Sequence, residues 1–572
     1  MASNLKSPPS EVPGVADAVA RVRTYHQRTK HLPGHFAPGP GYLDWANQPD
    51  PFRRFSGVPM VELPLVPDDG TPPYDSLFHS RESPSQPLTA ESLGLFLELS
   101  LGLTAWKEFQ GSRWALRSNP SSGNLHPTEG YVVLPPLASL TDRGGVYHYA
   151  PCEHALEQRC ILNKAAMGTL GVVLPAGVFL VGLTSVHWRE AWKYGERAYR
   201  YCQHDVGHAL GALCIAAAAL GWRVALVSTL SDTEVAGLLG VDRTTDFNDV
   251  EAEHPDLIAA VVTDPASAVP PNLTKGLVAG VRASHWAGKA NRLSPDHVDW
   301  AEIAAVEDAT VKPHTASLPL RDLAASSKPA QRPIRDIPRS AAIIRQRRSA
   351  VGMDARTGLS LDAFFGMLAR TLPDRPHPPW TALDFPTRIH LCLFVHRIDG
   401  LTPGLYVLVR DEARLDALRA ACNDQFTWSR VESSGMPLYA LALGDFREAA
   451  AHASCSQEIA GDSAFSLGMI ADFARTLEED GAWAYRRLFW ETGLIGQVLY
   501  LEAEAAGVRS TGMGCYFDDV VHQLLGIDLS DDAWQSLYHF TVGGAVDDDR
   551  LTTLPAYGHL SPERTSPGWS GI

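Results

Sequence analysis

Apolar and polar positions change period repeatedly along the chain. Short runs dense in β-branched and aromatic residues predict strands: EGYVVLP (129–135), AGVFLVGL (176–183), DLIAAVVT (256–263), RIHLCLFVHRI (388–398), GLYVLV (404–409) and PLYALALG (437–444). Elsewhere the period is helical. Gly207, Leu210, Leu213, Ala217 and Leu220 recur at three- and four-residue intervals, as on a helix apolar enough to lie inside a domain or between two. After that stretch come RVALVSTL (223–230), which reads as extended, and a helix opened by Asp232. The same succession returns downstream, where RSTGMGCY (509–516) precedes a helix opened by Asp518-Asp519. Helices and strands are mixed and strands often follow one another directly, which predicts an α+β layered domain occurring twice.

The recurrence extends to identity. Residues 193–242 and 479–528 align without a gap, pairing Ala198-Tyr199-Arg200 with Ala484-Tyr485-Arg486, Gly207 with Gly493, and Gly221 with Gly507. Shared glycines and aspartates distinguish this from two unrelated amphipathic helices, so a tandem duplication is inferred. Between the copies lies a Pro-, Ser- and Ala-rich stretch of mixed charge, as in a linker. The expected division is an N-terminal extension (1–90) packed on the first domain, a first domain (91–305), a linker (306–338) and a second domain (339–572).

Composition narrows the possible partners. The 572 residues are 45% hydrophobic and 20% charged, with a formal charge of −16, which argues against a surface built for nucleic acid or anionic lipid. The eight cysteines form no CxxC pair and no zinc-ligand spacing, as expected of reduced thiols in a cytosol. The opening MASNLKSPPSEVPG lacks the apolar core of a signal peptide, and LGVVLPAGVFLVGL and HALGALCIAAAALG are too short or interrupted to span a bilayer. A soluble, cytoplasmic protein without membrane contact is expected.

Several motifs in order then carry more information than any one of them. RSNPSSGNLHPTE (117–129), KYGERAYR (193–200), HRIDGLTPGLY (396–406), YHQRTKHLPGHF (25–36) and LDWANQPDPFRRF (43–55) resemble the SagB-type dehydrogenase branch of the FMN-dependent nitroreductase family, over a span from about Tyr25 to Tyr557. The resemblance implies an α+β fold with a mostly antiparallel central sheet flanked by helices. It implies FMN bound between two paired domains, here an intrachain pseudo-dimer.

By the same resemblance, Arg117, Pro120, Ser121, Ser122, Gly123 and Asn124 match the run that reaches the flavin from the partner domain. Arg347 and Ser349, with Arg348 or Arg345 as alternates, match the phosphate-binding Arg-x-Ser, whose residues could also form a solvated basic face. A phosphate dianion and a flat amphipathic ring do need cationic donors at one end and donors along a polar edge at the other. Gly512, Met513 and Gly514 would add backbone contacts, and Arg550 a second phosphate contact.

Lys193 and Tyr194 match the pair implicated in catalysis in azoline-oxidising members, where a base removes a ring proton as hydride leaves for the flavin. A desolvated lysine can serve as such a base. Arg197 and Arg200 either orient the cofactor or pair with Glu190 or Glu196. His204 and His208, four apart on one helix face, offer two metal ligands but no third, so packing or hydrogen bonding is the expected role and no metal site is assigned.

The two halves differ in an informative way. Glu479-Asp480 stand where the first half has Lys193-Tyr194, PHPPWTALDFP replaces NPSSGNLHP, and the first-half FHSRESPSQ matches the RRS only partly. One flavin site is expected. Its leading function is dehydrogenation of azoline rings to azoles in a ribosomal peptide, with a cyclodehydratase complex as a possible partner. The alternatives are an NAD(P)H-dependent nitro or quinone reductase and a flavin-free peptide-binding subunit.

Overall fold

The computed structural model describes residues 14–67, 70–79, 84–270, 273–316, 337–373 and 377–560. Two antiparallel sheets carry the chain. In the first, the six main strands run in the order Ala155–Ile161, Gly145–Ala150, Thr128–Leu134, Val178–Ser185, His254–Val262, Arg223–Leu226. In the second the order is Leu438–Leu443, Gly404–Leu408, Ile389–Val395, Phe465–Asp472, Trp534–Gly543, Arg509–Met513. The two orders are the same when the strands are counted from each half's start, and every ladder between them is antiparallel. The duplication inferred from sequence is therefore present in the topology, and all six predicted strands form.

Between the sheets lie two long helices, Ala198–Ala219 and Tyr485–Ala505. Nearly every residue of the first is buried, not only the expected stripe, because the helix has a sheet on one side and its copy on the other. The aligned glycines meet at the crossing. A Cβ on Gly207 would stand 2.3 Å from the Trp490 carbonyl oxygen, and one on Gly493 would stand 2.2 Å from that of His204. Close backbone approach accounts for glycine at both positions.

The aligned arginines exchange partners across the same axis. Arg200 of the first half pairs with Asp518 of the second at 2.8 Å, and Arg486 of the second pairs with Asp232 of the first at 2.9 Å. This reciprocity is the signature of an isologous interface, here within one chain. Arg197 also binds Asp518, so neither it nor Arg200 pairs with Glu190 or Glu196. Asp232 opens its helix at the first helical position, and the cap itself is Ser231, in a capping box with Glu234.

Three connections differ from expectation. The N-terminal extension packs on both halves: Tyr25 donates to the Glu196 carbonyl, while the His31 N–H reaches Asp518 and Lys30 reaches Asp519. The expected linker begins inside structure. Its first residues finish the helix Ala301–Ala309, and Lys312 is held by the Leu230 carbonyl and Thr315. Most of the rest lies outside the described residues. Near the C-terminus, Thr552–Leu554 leaves the second half to pair with Leu103–Phe109, itself hairpinned to Ser112–Arg117. That hairpin turns on Gln110 and Gly111, both with positive φ, as a tight two-residue loop requires. Among the described residues no helix is long and apolar enough to cross a membrane.

Candidate active site

The second hairpin strand, Ser112–Arg117, feeds the turn-rich loop 118–127, which re-enters the central strand Thr128–Leu134. That loop forms one wall of a cavity of about 880 Å³ whose opposite wall comes from the second half. Arg117, Pro120, Ser121, Ser122, Gly123, Asn124 and Tyr194 line it from one side, and Arg347, Arg348, Ser349 and the segment Gly512–Cys515 from the other. Residues more than two hundred positions apart in sequence thus share one space.

Most side chains of the loop hold the loop. Ser122 donates from its N–H (3.1 Å) and its hydroxyl (3.2 Å) to Asp205, the Ser121 hydroxyl accepts from the His126 N–H, and the Asn124 amide donates to the Ala115 carbonyl. Gly123 has φ +60, and a Cβ there would stand 2.6 Å from the Tyr194 hydroxyl and 3.1 Å from Lys193 Nζ. Glycine at this point lets the loop seat directly on the Lys193-Tyr194 pair.

That pair ends the helix His187–Tyr194. Tyr194 lines the cavity, whereas Lys193 Nζ lies against Gly123, 5.3 Å from the Tyr194 ring centre, and is not part of the wall. Burial pushes the Tyr194 phenol well above its ordinary range. Two carboxyl groups lie nearby. Asp205, on the long helix and facing the cavity, is pushed up to about 7 by burial, opposed by the hydroxyls and N–H of Ser121 and Ser122. Glu190 is fully buried, and burial first, then the nearby Asp205, raise it strongly, opposed by Lys193 and the Ser121 hydroxyl.

The far end of the cavity is cationic. Arg347 is buried, donates to the Arg117 carbonyl at 3.0 Å and stacks over Tyr500, yet its Nε and Nη1 have no partner. Arg117 is likewise buried, bonded to the Pro51 carbonyl, with Nε unpartnered. Arg348 donates to the carbonyls of Arg345, Arg347 and Thr104. Burial lowers Arg117 and Arg348 to about 10. Ser349 donates to the Tyr500 hydroxyl, which also accepts the Gly512 N–H. A Cβ on Gly512 or Gly514 would strike Tyr538 or Tyr201 at 1.9 and 2.2 Å, so these two glycines admit aromatic rings to the cavity wall.

Two expectations fail here. Arg550 is exposed, forked onto Asp548 and outside the cavity, because the chain turns there to start the strand Thr552–Leu554. The alternate Arg345 is spent on Glu98 at 2.8 Å. His204 and His208 hydrogen-bond across the interface to Thr492 and Tyr538. A group of side chains able to hold a metal, His187, His254 and Glu307, does come together elsewhere, with His254 hydrogen-bonded to Glu307. The sequence reading missed Lys107, Asp205, Tyr500, Arg509 and Tyr538, which also line the cavity. Of these, only Asp205 carried a signal, since its aligned position holds another acid, Glu491.

Among the described residues, the equivalent place in the other half is closed. Around Asp480, Arg487 and Glu491, which align with Tyr194, Tyr201 and Asp205, only about 10 Å³ remains. Arg388 is paired to both Glu479 and Asp480, and Arg487 is sandwiched between Trp483 and Phe385.

The nitroreductase family pattern matches residues 85–250 and 402–544, one segment in each half. A Methanocaldococcus jannaschii protein that carries the name nitroreductase is 26% identical over 165 residues, 28% of this chain and 79% of its own length. A crystal structure from Anabaena variabilis, assigned to the nitroreductases, superposes with a TM-score of 0.66 at 22% identity, covering 92% of this chain and 99% of that one. A chain of the Escherichia coli microcin synthetase McbBCD complex aligns over 38% of this chain and 77% of its own, at 19% identity and a TM-score of 0.27, too low to bear on the reading. With both halves matched by the family pattern and the fold shared end to end with a relative, the chain belongs to the nitroreductase family.

Proposed function

We propose that this chain is an FMN-dependent dehydrogenase of SagB type that oxidises azoline rings in a ribosomal peptide to azoles in the cytosol, passing the electrons to dioxygen. The residues fit the cofactor. The two unpartnered nitrogens of buried Arg347, with Arg348 beside it, are donors for a phosphate dianion, and a cavity of about 880 Å³ lies within the ~300–1,000 Å³ of small-molecule sites. When bound, the flavin supplies the hydride acceptor.

The observation that carries the reading is the seating of Lys193 and Tyr194 against Gly123 beside a carboxyl that titrates near neutrality. A dehydrogenation that breaks a C–H bond as a proton needs a base, and a group with its pKa near working pH is the effective one. Tyr194 and Asp205 line the cavity with Lys193 close beside them, so Asp205 is placed to receive that proton while Tyr194 and Lys193 stabilise the charge that develops. The low exposure of Glu190 and Asp205 keeps bulk water from taking over the transfer.

Purified protein is expected to release FMN on denaturation, and Lys193→Ala is expected to retain flavin while losing at least tenfold in turnover of a synthetic azoline peptide. Full activity of that variant would remove the lysine from the mechanism. Rapid flavin bleaching by NADPH without azoline turnover would favour a nitro or quinone reductase.

A further inference from the structure

Cys455 and Cys515 stand apart from the other six cysteines. Sixty residues apart in sequence, they bring their Sγ atoms to 2.7 Å. Both are partly exposed, as is Cys152, which stands beside His559, whereas Cys160, Cys202, Cys214, Cys392 and Cys422 are buried. Cys515 lies on the cavity wall directly after Gly514. Cys455 follows the short helix Arg447–Ala453 in a left-handed backbone conformation, φ +55.

The two segments are already clamped together: the Gln457 amide donates to the Cys515 carbonyl at 2.9 Å and to the Ser454 carbonyl at 2.8 Å. The Arg197 guanidinium reaches the Gly514 carbonyl at 3.3 Å, which puts a positive charge beside the sulfurs. The hydrogen bond between the two sulfurs holds the Cys515 thiol below its ordinary range and Cys455 above it. A disulfide needs a sulfur separation of about 2.05 Å, so closure asks for a shift of under about 1 Å.

We propose that Cys455 and Cys515 form a redox-active dithiol on the cavity wall that reacts with oxidised low-molecular-weight thiols and closes to a disulfide. The Cys515 thiolate attacks one sulfur of the small disulfide, breaking its S–S bond and releasing one small thiol that takes up a proton. The Cys455 sulfur then displaces the second small thiol from Cys515 and loses its own proton to it. Two protein thiols are oxidised and one small disulfide is reduced to two thiols; no flavin takes part. The product ties the Gly512–Cys515 wall to the end of the 447–453 helix. A partly exposed thiol lowered by a neighbouring thiol's hydrogen bond and a nearby cation is the kind that exchanges selectively.

The test uses the full-length protein and oxidised glutathione. Thiols titrated in denaturant are expected to fall from eight to six, the intact mass to drop by about 2 Da, and digestion to give one crosslinked pair holding Cys455 and Cys515. Dithiothreitol should restore all eight. Cys455→Ser should stop at a glutathionyl adduct on Cys515. Retention of all eight thiols, a crosslink between any other two cysteines, or a stable adduct on wild-type Cys515 would each overturn the proposal. The wild-type measurements decide the matter even if the variant fails to fold, and they need no flavin turnover.

Discussion

Gly123 seats the loop directly on Lys193 and Tyr194. Gly123→Ala adds a methyl 2.6 Å from the Tyr194 hydroxyl and forces an L-residue to φ +60. Backbone strain of this kind costs about 1–3 kcal/mol, so a lower melting temperature is expected together with loss of azoline turnover. Asp205 makes a prediction of opposite character. Its folded pKa of about 7 lies above the unfolded value near 3.8, so the folded state holds the proton more tightly. The stability this contributes is present below pH ~4 and lost as pH rises through 7. Wild type is therefore expected to lose stability relative to Asp205→Asn over that window, by on the order of a few kcal/mol, in denaturant titrations at pH 4, 5.5 and 7.5. A flat difference would mean that Asp205 is not held protonated. At this scale the sequence was informative wherever a motif stood in one piece. RSNPSSGN and RRS fall on the cavity because each is a short run whose position one backbone segment sets. Tyr500, Tyr538 and Arg509 were not legible, since they are scattered over three elements and reach the cavity only once the sheet and long helix have packed.

Among elements, the two long helices decide whether the cavity exists at all, because each of its walls is anchored to one of them. Gly207→Val puts side-chain atoms against the backbone of Trp490, a neighbour that cannot rotate away. Overpacking of this sort costs about 1–3 kcal/mol, with the upper end expected here, read as a lower urea midpoint. Asp518→Asn leaves Arg197 and Arg200 buried without their shared counter-charge. Breaking a buried pair costs about 3–5 kcal/mol. The reciprocal Asp232→Asn should cost less, because its pair with Arg486 is more open. The gapless alignment foretold these contacts in part: it paired Gly207 with Gly493 and Arg200 with Arg486, yet only the fold shows that each meets its own counterpart's half. The strand Thr552–Leu554 escaped the sequence reading because a three-residue strand carries no period of its own.

For the whole molecule, the main property is that a duplicated chain has kept one cavity and closed the other. Among the described residues around Arg487 and Glu491 only about 10 Å³ remains, too little for a ring system, so saturation at one FMN per chain is expected in equilibrium dialysis, and two would contradict the closed half-site. The loss of the Ser-Ser-Gly-Asn run from the second half announced this asymmetry. The filling of the vacated space by Arg487 between Trp483 and Phe385 did not show in sequence, since an arginine–aromatic stack reads there as three unrelated residues. The crossed arginine–aspartate pairs have one more effect. In a two-subunit enzyme whose cofactor lies in the interface, dilution separates the two walls and empties the site. Here both walls belong to one polypeptide, and the effective concentration of each for the other is fixed by the chain. At a fixed free FMN concentration, flavin occupancy per chain should therefore not change as the protein is diluted, and a fall on dilution would mean that the site is completed by a second chain.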